Sequence, residues 1–171
     1  MPLSLRLCGW IDNLNHRVGR FASWMLLAMI GLTVLVVVLR YFFNAGWIWL
    51  QDLISYLHGG AFMLAAGYTL FFDEHVRVDI FYRPAKASTQ AWVDIGGVLL
   101  LLFPTCFLVL WFGWDYVASS WIIGEGSQET GGLAGVFVVK SLILAFGVLL
   151  GLQGVSLILK SWNNLKEATD A

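Results

Sequence analysis

Of this chain's 171 residues, 59% are hydrophobic and only 12% charged, with a mean hydropathy of +0.78. A soluble domain of that size carries about a quarter charged residues, so an ordinary water-soluble fold is excluded. The net charge of −1 excludes nucleic acid as a partner, which would demand a basic face. Nine tryptophans and twelve phenylalanines suit helix interfaces and headgroup-level anchors in a membrane. Cys8 and Cys106 lie far apart and match no metal or redox spacing, so both read as packing residues.

In chain order, Leu3, Leu7, Trp10, Ile11, Leu14 and Val18 recur at helical spacing, with Arg6, Asp12, Asn13 and Arg17 mostly elsewhere. The pattern predicts an amphipathic helix over 3–18, lying along the cytoplasmic membrane surface. The first apolar run starts at Phe21, is long enough to span and ends at Arg40-Tyr41 without a small-residue cleavage pattern, so it reads as a retained span. Four runs of roughly 20 apolar residues can each cross a hydrocarbon core of about 30 Å. They are Phe21 to Leu39, Leu53 to Phe72, Ile95 to Trp114 and Ser141 to Leu159. With their flanks they predict spans over 21–42, 48–72, 93–117 and 133–160, in one domain covering 1–171. Pro104 predicts a kink in the third, and the ten-residue alternation of a membrane β-barrel is missing. The expected fold is all-α: four transmembrane helices plus the surface helix.

Basic residues set the orientation. Arg6, Arg17, Arg20, Arg77, Arg83, Lys86, Lys160 and Lys166 fall on one side, against Arg40 and Lys140 on the other. The excess places both termini in the cytoplasm and exports the loop that holds Glu125 and Glu129.

Few side chains in or near the spans could carry chemistry. Arg40 and Asp52 bracket the first exported turn and are placed to pair as a hairpin clamp or to face a partner. His58 is the one histidine inside a span. A haem would need an axial pair, and His16 and His75 lie outside the spans. Asp52, six residues from His58, falls about 120° away around the helix, too far for a proton relay. His58 therefore reads as a polar helix–helix contact. Gly59 and Gly60 in span two, and Gly147, Gly151 and Gly154 in span four, mark close packing faces, since small residues are how helices approach in lipid. Asp73-Glu74-His75 looks like a metal set, but adjacent residues diverge and no further ligand follows. Val76, Val78 and Ile80 alternate with Arg77 and Asp79, which predicts a short extended piece. No metal, cofactor or catalytic residue is expected, and the chain does not read as an enzyme.

Several of these features together carry a family resemblance. The Arg40-Tyr41 exit, the stretch Trp49-Leu50-Gln51-Asp52-Leu53 and the run His75-Val76-Arg77-Val78-Asp79, in order along four spans, resemble the small membrane subunit (DctQ-type, Q subunit) of TRAP transporters. The later Ser127-Gln128-Glu129-Thr130-Gly131-Gly132-Leu133, Lys140 and Leu152-Gln153-Gly154 are similar to the branch labelled mannitol/chloroaromatic, whose relatives are associated with organic acids such as 2-oxo acids or lactate. The resemblance implies a bacterial inner-membrane subunit that scaffolds a large elevator-type subunit. That partner would take up an organic acid, delivered by a periplasmic binding protein, with sodium. It implies structural or partner-facing roles for Arg40, Asp52, His75, Arg77 and Asp79, and membrane lipids as further partners. Gln51-Asp52 stands where many relatives have two adjacent carboxylates.

Two rival readings are weaker. A membrane redox enzyme would need paired intramembrane histidines or a C-x-x-C. A small homo-oligomeric channel or exporter would line its pore with polar residues, yet spans one and three are almost wholly apolar.

Overall fold

The computed structural model describes residues 3–75 and 82–170, the side chains over 5–75 and 82–166. Arg77, Asp79 and the extended piece expected around them lie outside these residues. The described chain is helical: α1 (Leu3–Phe43), α2 (Ile48–Phe71), α3 (Ala87–Gly97), a π-helical turn (Val98–Leu102), α4 (Phe103–Ile123) and α5 (Val136–Asp170). α5 is central and packs against every other helix, while α1 packs along α2.

α1 corrects one expectation. The 3–18 segment is no separate surface helix but runs unbroken into the first apolar run. Nothing at Val18-Gly19-Arg20 stops a helix, because a single glycine costs only about 1 kcal/mol there. Gly19 has a packing reason of its own: a Cβ at that position would overlap the Tyr68 ring of α2. The inward face also differs from the one expected. Cys8, Ile11, Asn15 and Ala22 are buried, whereas Trp10 is exposed.

α3, the π turn and α4 form one unit, Ala87–Ile123. Pro104 stands in the first turn of α4 and cannot donate to the carbonyl four residues earlier. The helix widens just before it, with the Phe103 N–H reaching Val98 O, so the ring is accommodated without ending the helix. α4 closes at Gly124, whose φ of +59° suits a residue without Cβ; Gly124 N–H donates to Trp121 O and Glu125 N–H to Ser120 O. The end of α2 is closed the same way by Asp73 and Glu74, bonded to Leu70 O and Thr69 O.

Three helical stretches are long and apolar enough to cross a membrane: Leu5–Phe43, Ala87–Ile123 and Val136–Lys166. α2, 24 residues long, has the length but is less apolar, holding Gln51, Asp52 and His58. The N-terminal part of α1, the C-terminal part of α2 and the C-terminal half of α5 meet at one end of the bundle, as the Asn15–Gln153 bond and the His16–Phe71 ring contact require. Both termini therefore share an end.

Candidate functional site

Three features hold the polar side chains of the bundle. The first is at the end opposite the termini, where residues 124–135 fold back over the helix ends. Asp52, one turn into α2, accepts the Leu133 N–H at 2.9 Å, and the Tyr56 hydroxyl donates to Leu133 O at 3.3 Å. Asp52 thus ties the loop to α2 and forms no ion pair with Arg40, which is exposed. The expected hairpin clamp gives way because a backbone N–H is brought to the carboxylate by the loop. Glu125 accepts from Ser120 Oγ at 2.7 Å and pairs with Lys140, whose ammonium also sits 4.0 Å from the Tyr116 ring centroid. The hydrogen bonds from Lys140 and Ser120, with the Lys140 charge, outweigh partial burial and hold the Glu125 carboxyl below its ordinary value. Trp121 Nε1 donates to Ser141 Oγ at 2.7 Å, joining α4 to α5. Glu129 is exposed at the loop tip.

The second feature, at the end of the termini, was not singled out from the sequence. Asp12 accepts from Gln153 Nε2 at 2.9 Å, from Ser156 Oγ at 2.8 Å and from Lys160 Nζ at 2.7 Å. Asn15 Nδ2 donates to Gln153 Oε1 at 2.8 Å, and the Cys8 thiol contacts Ser156 O at 3.8 Å. Asn15, Gln153 and Ser156 are buried. The direction of the chain of bonds follows from chemistry. An ionised carboxylate only accepts, so Gln153 turns its NH₂ to Asp12 and its oxygen to Asn15, whose NH₂ must then donate. That leaves Asn15 Oδ1 as a buried oxygen without a hydrogen bond, against Gly67 of α2. Only a residue without a side chain fits there, since a Cβ on Gly67 would overlap the amide. His16 completes this end among Tyr68, Phe71 and Phe72, with ring centroids 5.9–6.4 Å away. The signal for this network was present: Gln153 and Ser156 are polar residues in an apolar run, and such groups need partners in lipid.

The third feature is a groove of about 510 Å³ on α2, lined by His58, Ala61, Phe62, Ala65, Ala66 and Thr69, with Leu26 and Phe146 among the flanking residues. His58 is exposed there and hydrogen-bonds no other helix of the chain, so the expected helix–helix contact is not an internal one. It points outward because α2 turns its Gly60 and Gly67 face toward α1 and α5. His75 is exposed near the end of the same groove that lies toward the termini.

The glycines divide. A Cβ at Gly147 would meet Leu110 at 3.0 Å, and one at Gly154 would meet Leu102 at 2.9 Å and Phe103 at 3.0 Å; Gly151 faces Cys106 at 3.9 Å. This stripe seats the α3–α4 unit on α5. Gly60 lies against Met25 and Leu142, while Gly59 faces open space. No group of three side chains able to hold a metal ion occurs among the described residues.

Residues 29–164 match the family model described as tripartite ATP-independent periplasmic transporters, DctQ component. That span takes in the first feature whole, but it leaves out the α1 side of the second, Cys8, Asp12, Asn15 and His16, and Leu26 beside the groove. No match was found among curated proteins or solved structures.

Proposed function

The chain belongs to the DctQ component family of tripartite ATP-independent periplasmic transporters, and from that premise we propose that it scaffolds the large membrane subunit of such a transporter. It is a transmembrane transporter component of an all-helical kind. In this reading α2 is a fourth span beside the three more apolar ones. The excess of basic residues at the end of the termini puts that end in the cytoplasm, in a bacterial inner membrane. The partners are the large subunit, which moves an organic acid with sodium by an elevator motion, and a periplasmic binding protein that delivers it. The likeness of Ser127–Leu133 and Leu152-Gln153-Gly154 to the mannitol/chloroaromatic branch favours a 2-oxo acid or lactate as cargo.

One observation carries the scaffold role. The buried polar groups tie helices of this chain to one another: Asp12 and Asn15 of α1 to Gln153, Ser156 and Lys160 of α5. They are occupied in holding a bundle together, not turned toward a cavity that could hold a carboxylate and sodium. Arg40, Glu129, His75, Arg77 and Asp79 then face partners at the two membrane surfaces, and Asp52, Glu125 and Lys140 shape the exported surface they share.

Co-purification tests the reading. A tagged copy in its host's membranes is expected to bring down a much larger multi-spanning protein. Isolation as a stable homo-oligomer that conducts ions or solutes in liposomes would establish the channel reading instead.

A further inference from the structure

The two broad outer faces of the bundle differ in chemistry. The α3–α4 unit presents Leu100, Phe107, Trp111 and Phe112, all exposed and apolar, which lipid chains cover without cost. The outer face of α2 presents a stripe at positions 58, 62, 65, 66 and 69, the spacing of one helical face, with His58 in it and the buried Ala61 beneath. His58 lies ten residues beyond Ile48, the first residue of α2. Counted from Asp52, which is bonded to the surface loop, His58 is six residues on, about 9 Å into a hydrocarbon core of about 30 Å at 1.5 Å per residue. A neutral imidazole offers one donor and one acceptor, and hydrocarbon satisfies neither. Among the described residues nothing does either. Thr69, on the same stripe, returns its hydroxyl to Ala65 O at 3.0 Å and makes no such demand.

The shape of the surface agrees with its chemistry. Ala61, Ala65 and Ala66 keep the floor of the groove low, so a helix backbone can approach closely, and the exposed Phe62 forms a knob at its side. We infer that this groove seats a transmembrane helix of the large subunit, which turns a hydrogen-bonding side chain or a freed backbone carbonyl toward His58. The inference rests on the scaffold role proposed above and adds the face through which it acts. A lipid in the groove leaves His58 unpaired. A second copy is disfavoured too, because the Gly147–Gly151–Gly154 stripe, the usual seat for a like helix, is already covered by Leu102, Phe103, Cys106 and Leu110 of the same chain.

The test uses the full-length tagged chain in host membranes, with a photo-crosslinking residue placed at Phe62 or, for comparison, at Leu100; both are about three-quarters exposed, at 75% and 76%. Phe62 is expected to give an adduct with the large multi-spanning protein and Leu100 to give none. His58→Leu is expected to lower the co-purified large protein about three- to tenfold, the worth of one interhelical hydrogen bond in lipid, while His58→Asn keeps most of it. If the large protein still co-purifies but Phe62 yields only lipid or self-adducts, or Leu100 carries the adduct, the inference is overturned and the scaffold role stands. Retention of the partner by His58→Leu at the wild-type level overturns it equally. If no large protein accompanies the wild-type chain, the scaffold role fails first and the inference with it.

Discussion

The two ends of this bundle are fastened by different means. At the end of the termini the ties run from side chain to side chain between α1 and α5, and Asn15, Gln153 and Ser156 are shut away from solvent. At the opposite end they run from loop to helix: a backbone N–H of Leu133 on Asp52, and Glu125 held by Lys140 and Ser120 on a half-exposed surface. Buried polar networks fail steeply when one member is lost, because the others are left without partners in a low-dielectric interior. Each end also holds a partly exposed ion pair, Lys160–Asp12 and Lys140–Glu125, which salt screens in part, so the difference lies in the buried amides and hydroxyl and not in the charges. The contrast makes the end of the termini the one locked by buried side chains and the opposite end the one held through a loop.

The largest effect is expected from Asp12→Ala. It removes the acceptor of Gln153, Ser156 and Lys160 together and should cost about 2–3 kcal/mol, read as a lower unfolding temperature in detergent. Equal destabilisation by Glu125→Gln would erase the distinction between the ends. Next comes Gly154→Ala, midway along α5, where the new Cβ meets Leu102 at 2.9 Å, Phe103 at 3.0 Å and Val98 at 3.1 Å. Overpacking there should cost about 1–2 kcal/mol.

Glu125→Gln should have the smallest effect on unfolding. It should instead speed proteolysis within 124–135 at low salt, and that difference should fade at high salt. Acid gives a further comparison. Glu125 titrates below its ordinary value of 4.5, so its contribution is full above that value and is lost as pH falls through the lower, folded value. Proteolysis of 124–135 should therefore be level from neutral pH to about 5 and quicken below about 4, a step that Glu125→Gln removes.

Much of the fold was legible because run length is a strong signal. The apolar stretches from Phe21, Ile95 and Ser141 became membrane-length helices. The G-x-x-x-G stripe of α5 was legible as a packing face, although not what it would pack against. What escaped was direction. Periodicity places polar residues outside, so Asp12 was set off the apolar face, yet it turns inward with Asn15 because α5 offers Gln153, Ser156 and Lys160 at matching heights. The partner of Asp52 escaped for a related reason. A loop N–H is invisible to any rule that matches charges along the chain, and the Leu133 amide comes from 81 positions away. His58 was read as a polar helix–helix contact, yet among the described residues it hydrogen-bonds no other helix and stands exposed.

The unbroken course of α1 has a mechanical consequence. Its 41 residues make a rod of about 61 Å at 1.5 Å per residue, twice the thickness of the hydrocarbon it crosses. The α3–α4 unit, by contrast, is interrupted by the π turn at Val98–Leu102. The foot of α1, where Asp12 grips Lys160, and Arg40 at its other end therefore belong to one uninterrupted element, so a displacement of either is a displacement of both.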